Sequence, residues 1–297
     1  MSRLPLVSGR QWRGGQLAAS TGGGGGTVEV GPDEDGEAYF TALEAATGWS
    51  EPADYSDKKT AIDTYIKALK ADGNWEKVHA MYLPIWQVAA PNALSLKRTE
   101  DGEDVDIYDL TFGGSVTHNG GDYIYGNGST GYAMSAFRGP AGDPTFFSSV
   151  SDTSFSGNVL GGTPTTVDAL FGWWVEAAFY PYYSATNARM YNWKSNSYVD
   201  VAHSGQNAFW SINTSTPSGV NTNRFDLYKD GSLHSYKESG TTHNYSTSNN
   251  LNWLCATWSA TGRSHYSKYQ VNFFHAGQQM ASVGGFNTTT AALLEAI

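Results

Sequence analysis

The sequence has few charged residues, no cluster of basic residues and no long apolar run. Charged residues make up 15% of the 297 positions, and the formal net charge is −10. Binding to nucleic acid requires clustered Lys and Arg to neutralise phosphates, so this charge argues against a nucleic-acid partner. No run approaches the ~18 apolar residues of a membrane span, which argues against membrane insertion.

The single cysteine excludes an intrachain disulfide. Cys255 lies in the apolar run LNWLCATWSA, where a strand would bury it as a small hydrophobic side chain. The first residues, MSRLPLVSGRQW, contain no continuous apolar segment, so no signal peptide is visible. The missing disulfides and the missing signal both disfavour a secreted cellular lectin.

The composition divides the chain into three regions. Residues 1–33 contain the glycine run Gly22 to Gly26, which cannot fold alone, and are predicted to form an extended assembly arm. Residues 34–105 read as a helical attachment or linker segment. Residues 106–297 are rich in Gly, Ser, Thr, Asn and aromatics in short runs between turns, which is typical of a large β-sandwich or jelly roll.

The helical region has three segments with an apolar stripe. EAYFTALEAATG is one short helix; a second is predicted from an N-cap at Ser56 to an end near Gly73, with apolar residues at helical spacing. Trp75 to Tyr82 reads as a third. Each helix needs a surface to pack on, either the following domain or a neighbouring subunit. Thr288 or Thr289 is predicted to cap a last helical turn at the end of the chain.

The stretch FDLYKDGSLHSY predicts a β-hairpin with a two-residue turn at Asp230-Gly231. That turn pairs Phe225 with Tyr236 and Tyr228 with Leu233. It also places Phe225, Leu227, His234 and Tyr236 on one face, which is the better candidate for the core.

No catalytic or metal motif is present. Glu176, in the apolar run FGWWVEAAFY, is either a buried functional carboxylate or an outward-facing strand residue. Asp104, Asp106 and Asp109 form an acidic cluster that lacks the glycine and distal glutamate of a calcium loop, which favours a solvated linker. We therefore expect no catalytic residue, no metal and no cofactor.

Aromatic residues are the main functional signal. Nine of them lie between Trp173 and Tyr198, and Pro181 is predicted to break the run and place Tyr182 and Tyr183 in or near a loop. Aromatics beside Asn, Ser and His are typical of surfaces that stack on sugar rings or bind proteins. Tyr182, Tyr183 and Trp193 are the candidate glycan-binding residues.

Two stretches carry a resemblance to a known family. GNGSTGYAMSAF and FDLYKDGSLHSY resemble strands of concanavalin A-like (laminin G-like) lectin/glucanase domains. The order of elements, with AIDTYIKALKADGNWEKVHAMYLPIW before NALSLKR and GGFNTTTAALLEAI at the end, is similar to a group of tailed-bacteriophage virion proteins. The likeness covers roughly residues 55 to 297.

The resemblance implies a mainly β, concanavalin A-like jelly-roll sandwich, preceded by the extended arm and the helical segment. It also implies a non-enzymatic virion structural protein, made in the host cytoplasm and attached to other virion proteins by its N-terminal region. The protein would be a homo-oligomer that binds host-surface glycans weakly, as a tail fibre or receptor-binding protein or as a head fibre or capsid decoration. The alternative is a polysaccharide depolymerase with carboxylates around Glu176 and Asp200.

Overall fold

The computed structural model describes most of the chain beyond the N-terminal arm. Backbone contacts divide the chain into Met1–Gly31 and Pro32–Ile297. The predicted arm, residues 1–33, lies outside the described residues except for its last three positions. The described residues are 31–100, 103–104, 108–119, 122–138, 153–163, 168–173, 177–184, 186–192, 197–202, 207–215, 223–239, 250–257, 262–280 and 282–297.

The second unit is mainly β, and two antiparallel sheets form a sandwich, as predicted. Sheet I has the order β15-β14-β13-β8-β19-β6-β5, and β1 also pairs with β19. Its strands are β1 Val78–Tyr82, β5 Val116–Asn119, β6 Tyr123–Gly126, β8 Thr153–Gly162, β13 Ala208–Ser215, β14 Asn223–Lys229, β15 Ser232–Ser239 and β19 Tyr269–Gln278.

Sheet II has the order β12-β11-β10-β9-β16-β7-β4. Its strands are β4 Leu110–Gly113, β7 Tyr132–Arg138, β9 Phe171–Trp173, β10 Ala177–Ser184, β11 Asn187–Asn192, β12 Ser197–Ala202 and β16 Asn250–Trp253. The described residues also form two short strand pairs: β2 Thr99–Glu100 with β3 Glu103–Asp104, and β17 Ala256–Thr257 with β18 Arg263–Ser264.

The main core lies between the two sheets, where alternate residues of each strand point inward. Phe155, Trp210 and Phe274 enter it from sheet I, and Phe179 and Trp253 enter from sheet II. The Trp253 and Phe274 rings meet across the sandwich with centroids 4.6 Å apart. Cys255 is fully buried, as predicted, and burial raises the pKa of its thiol to about 12.

Four α-helices are described: α1 Glu34–Glu44, α2 Tyr55–Ala71, α3 Ala89–Ala93 and α4 Val283–Ala296. The first predicted helix is confirmed, and Asp33 caps it by accepting a hydrogen bond from the Asp35 backbone N–H. The predicted N-cap of α2 is wrong by two residues, because Ser56 already lies in the first turn and Asp54 is the cap. The predicted end near Gly73 is confirmed, and the φ of +65° there suits glycine.

The predicted helix from Trp75 to Tyr82 is wrong. Only Trp75–Lys77 form one 3-10 turn, and β1 follows at Val78. All five residues of β1 are buried, and the strand pairs antiparallel with β19 from Val78↔Gly277 to Tyr82↔Phe274. A short apolar run fits a buried strand as well as a helix, and here the strand partner decides.

Helices α1, α2 and α4 cover the outer surface of sheet I. A second core contains Leu43 from α1, Ile66 from α2 and Phe286 from α4, together with Phe209 and Phe273 from sheet I. The helical segment therefore packs on the sandwich of its own chain, which was one of the two surfaces considered.

Hydrogen bonds join α4 to this surface. The Ser211 hydroxyl donates to Asn287 Oδ1 at 2.9 Å and lies 3.0 Å from the Ser156 hydroxyl. One turn further along the helix, the Thr290 hydroxyl lies 2.9 Å from the Tyr65 hydroxyl of α2.

The predicted cap of the last helix is wrong, because α4 begins earlier. Ser282 is the N-cap, and its hydroxyl accepts a hydrogen bond from the Gly285 backbone N–H at 3.1 Å. Two glycines in the first turn weaken the helical pattern in the sequence, but burial of Phe286 and Leu293 stabilises the helix.

The predicted turn at Asp230-Gly231 is confirmed. Their φ values of 48° and 81° are those of a type I′ turn, and Tyr228 pairs with Leu233. The pairing of Phe225 with Tyr236 is wrong, because a bulge after Leu227 shifts the register and Tyr236 instead faces Asp226.

The bulge also changes the predicted core face of the hairpin. Leu227 is fully buried, but Tyr236 is 56% exposed and His234, the extra residue of the bulge, is also exposed. The His234 Nε2 atom lies 3.0 Å from the Ala202 carbonyl of β12 in the other sheet.

Candidate glycan-binding face

The outward side of sheet II carries aromatic and charged side chains in register across three strands. Tyr180 of β10 lies opposite Arg189 of β11, which lies opposite Asp200 of β12. Their inward neighbours Phe179 and Met190 belong to the main core. Strand alternation therefore places the three side chains next to one another on the outward side of the sheet, where Tyr180 is buried beneath its neighbours and Asp200 is exposed.

Arg189 is held between two tyrosine rings. Its guanidinium carbon lies 3.6 Å from the ring centroid of Tyr183 and 3.9 Å from that of Tyr198. Its Nε and Nη2 atoms donate to the two carboxylate oxygens of Asp200 at 2.5 and 2.6 Å. These bonds raise the pKa of the guanidinium above its ordinary value. A bidentate pair with stacking on both sides fixes this side chain on the sheet.

A second arginine–tyrosine contact lies on the strands beyond β9. The Arg263 guanidinium carbon lies 3.8 Å from the ring centroid of Tyr132, and its Nε atom donates to Asn252 Oδ1 at 3.0 Å. Asn252 pairs with Gly172, which in turn pairs with Ala178 of β10, so this contact belongs to the same outward side. Among the described residues, Arg263 has no carboxylate within salt-bridge distance.

Tyr180 and His265 lie between the two contacts. Their rings meet edge to face at 5.6 Å, and Tyr180 also meets Tyr183 at 5.8 Å. His265 has a φ of 52°, an unusual conformation for a residue other than glycine, and such strain is common at functional sites. Burial lowers the pKa of His265, and the nearby Asp168 partly opposes this shift.

We call these side chains the tyrosine–arginine face. Its members are Tyr132, Tyr180, Tyr183, Arg189, Tyr198, Asp200, Asn252, Arg263 and His265. The exposed Tyr198 ring offers an apolar surface for a sugar ring, and the Asp200 carboxylate and the neutral imidazole offer hydrogen-bonding atoms. The arrangement is suited to binding a polyhydroxylated ligand.

The predicted site residues have different places in the structure. Tyr183 belongs to the tyrosine–arginine face. Tyr182 points to the other side of the strand, where it packs against the main core. Trp193 lies outside the described residues.

The predicted break at Pro181 is wrong, because β10 continues through it. Pairing of β10 with β11 is interrupted between Tyr180 and Ser184, so the missing N–H of proline costs little there.

Sequence reasoning missed Arg189, Arg263 and Tyr132. A signal for Arg189 is present, because it alternates with the apolar Ala188 and Met190 in NARMYN. Arg263 and Tyr132 are brought together by strands that are distant in sequence, and no local pattern indicates this contact.

The next carboxylates are the candidates for hydrolysis or for calcium binding. Asp200 is paired with Arg189, and Glu176 lies outside the described residues. Asp109 forms an ion pair with Arg98 at 2.8 Å, whereas Asp106 and the side chain of Asp104 lie outside the described residues.

The described residues contain no group of three or more His, Cys, Asp or Glu side chains that would hold a metal ion. None of the helices in the described part of the chain is both long enough and apolar enough to cross a membrane.

Neither a protein-family model nor the sequence of a curated protein matches the chain. Solved structures that are similar include domain 4 of AbnA, a GH43 extracellular arabinanase from Geobacillus stearothermophilus, in complex with arabinotriose. The identity is 13% and the TM-score 0.45, over 72% of this chain and 98% of that one. The CBM40 of Ruminococcus gnavus IT-sialidase, bound to α2,3-sialyllactose, is also similar. Its identity to this chain is 9% and the TM-score is 0.42, over 61% of this chain and 97% of that one.

A structure of botulinum neurotoxin type C gives 10% identity and a TM-score of 0.48, over 73% of this chain. Cell entry of that toxin is dependent upon interaction with two ganglioside molecules, and the present chain spans about half of that structure, 52%. At these identities and TM-scores the likeness carries no information on function.

Proposed function

We propose that the protein binds glycans through the tyrosine–arginine face without catalysing a reaction on them. The observation that carries this proposal is the Arg189 guanidinium fixed between Tyr183 and Tyr198 and paired with Asp200. The guanidinium is fixed by contacts within the protein itself, so its side chain loses little conformational entropy on binding. Tyr198 is 44% exposed and supplies the stacking surface.

The test is retention on a panel of bacterial surface polysaccharides, with variants of the face. We expect Tyr198→Ala to weaken binding about tenfold, because stacking and buried apolar area are both lost. Arg189→Lys loses the planar stack and the bidentate pair, and we expect a similar loss. Tyr236→Ala is the matched control, since this tyrosine is 56% exposed on sheet I. Equal retention of all four proteins would disprove the proposed site.

We further propose that the sandwich is carried on a tailed-bacteriophage particle as an oligomer, as the sequence resemblance over residues 55 to 297 implies. Many copies would convert weak binding at each site into firm attachment. Light scattering with and without residues 1–33 tests the assembly. An oligomer that survives truncation supports assembly by residues 34–297, whereas a monomer in both forms argues against a homo-oligomer.

The proposal that the protein does not hydrolyse the glycans that it binds needs a test of its own. Hydrolysis by two carboxylates needs one of them free to act as an acid, and Asp200 is instead in bidentate contact with Arg189. We expect no release of reducing ends from a polysaccharide that the protein binds. Release that is lost in Glu176→Gln would favour the depolymerase alternative.

A further inference from the structure

A cleft of about 410 Å³ lies in the helical part of the molecule, and none of the described residues that line it belongs to the tyrosine–arginine face. It is lined by the connection between α1 and α2, the first turn of α2, the connection between β1 and α3, and Asp122 next to β6. The volume falls within the range of small-molecule sites.

The base of the cleft is apolar and fixed. Trp86 is 2% exposed; its indole N–H donates to the Tyr39 hydroxyl at 2.9 Å, and its backbone N–H donates to Asn92 Oδ1 at 2.7 Å. Trp49 is half-buried and meets Trp86 edge to face at 5.2 Å. Two tryptophans held in this way form a rigid apolar wall.

The rim of the cleft is polar and negatively charged. Asp54, Gln87 and Asp122 are exposed and line the opening. Among the described residues that line the cleft, the only cation is Lys58. It is buried, and its Nζ lies 3.1 Å from Asp54 Oδ2 and 5.7 Å from the centroid of a Trp86 ring. Two carboxylates therefore face one ammonium, and the charge at the opening is negative.

We propose that this cleft is a second ligand site, which binds a single neutral or amino sugar unit. An aromatic wall beside carboxylate and amide groups matches a ring that has one apolar face and several hydroxyls. A purely apolar ligand would leave the rim groups without hydrogen bonds, which is costly. An anionic sugar would meet two carboxylates, so the site discriminates against it.

The test uses protein that carries 5-fluorotryptophan at its ten tryptophan positions and is observed by fluorine NMR. The Trp49 resonance is assigned with Trp49→Phe. The probes are methyl glucoside, glucosamine and glucuronate. We expect the first two to shift the Trp49 resonance and glucuronate to leave it unchanged. No shift with the first two probes, or an equal shift with glucuronate, would overturn the proposal.

Two surface variants keep the test independent of folding. Asp122→Ala and Gln87→Ala alter exposed side chains, and we expect each to weaken the response at least about threefold, because one hydrogen bond is lost. An unchanged response in both variants would contradict the proposed site. Tyr198→Ala should leave the Trp49 response intact, so failure of the tyrosine–arginine face and failure of the cleft are distinguishable.

Discussion

At the scale of single residues, His275 is buried in an environment that does not stabilise its charge. It lies on β19 facing α4, with its ring 5.0 Å from that of Phe286. It is fully buried, and neither ring nitrogen has a hydrogen-bond partner among the described residues. Burial, reinforced by the nearby His79, lowers the pKa of His275 to about 3.

This low pKa predicts a loss of stability in acid. Below pH 6.5, the ordinary value, the unfolded chain binds a proton at this residue and the folded protein does not. The free energy of unfolding therefore falls as the pH drops from 6.5 towards 3, by up to about 1.4 kcal/mol per pH unit. Urea unfolding at about pH 7 and about pH 5 measures the slope.

A variant assigns this slope to His275. His275→Gln cannot titrate, and we expect a shallower loss in acid. The same substitution at the exposed His234 controls for the change of residue type. Equal slopes in the wild type and in His275→Gln would contradict the assignment. Burial also lowers the pKa values of His118 and His265, so part of the slope remains.

At the scale of elements, the β14–β15 hairpin shows which local features a sequence determines. Asp230-Gly231 specifies the turn because both positions need positive φ. The bulge at His234 has no comparable signal, since it depends on the contact with β12 in the other sheet. A single extra residue then turned Tyr236 to the exterior, against the sequence pattern.

The turn itself predicts the effect of two substitutions. Gly231→Ala places a side chain at φ 81°, where the added Cβ meets only Asn287 at 3.5 Å, so the cost of about 1 kcal/mol is conformational. Asp230→Asn keeps a residue that tolerates this conformation, and it can still accept the hydrogen bond from the Phe209 backbone N–H.

Denaturation in urea checks the comparison between these variants. We expect Gly231→Ala to lower the free energy of unfolding more than Asp230→Asn does. The reverse order would show that the hydrogen bond, and not the backbone conformation, dominates at this turn.

In the candidate site, too, some features can be predicted from a short stretch of sequence, whereas others depend on contacts between strands that are far apart in the chain. Aromatic density indicated Tyr182 and Tyr183 equally, and the irregular register of β10 between Tyr180 and Ser184 puts Tyr183, not Tyr182, on the side of Tyr180. The pairing of Arg189 with Asp200 requires the register of β11 with β12, and that of Arg263 with Tyr132 requires distant strands. Composition predicted the sandwich because many short strands with turns between them have few other solutions.

At the scale of the whole molecule, the helices and the sandwich share one apolar cluster. Phe209 and Phe273 of sheet I pack with residues of α1, α2 and α4, and β1 joins the helical segment to β19. Residues 32–297 form one unit of contacts. The helical segment cannot detach from the sandwich without exposing the apolar outer side of sheet I to water.

We therefore expect helices and sheets to unfold together. Tryptophan fluorescence and circular dichroism should report the same midpoint in urea. Phe286→Ala, which removes a fully buried ring, should lower both midpoints equally and cost about 3–5 kcal/mol. Leu294→Ala, at a half-buried position of the same helix, should cost less. Loss of the helical signal at lower urea would show that the segment unfolds on its own.

Cys255 has a practical consequence for labelling. It is the only thiol in the chain, it is fully buried, and its raised pKa keeps it protonated and unreactive at neutral pH. A cysteine introduced on the exterior, for example at the exposed Leu233, would be the one group that reacts with a maleimide dye. Dye placement and oriented immobilisation on a sensor surface can therefore proceed in the wild-type background.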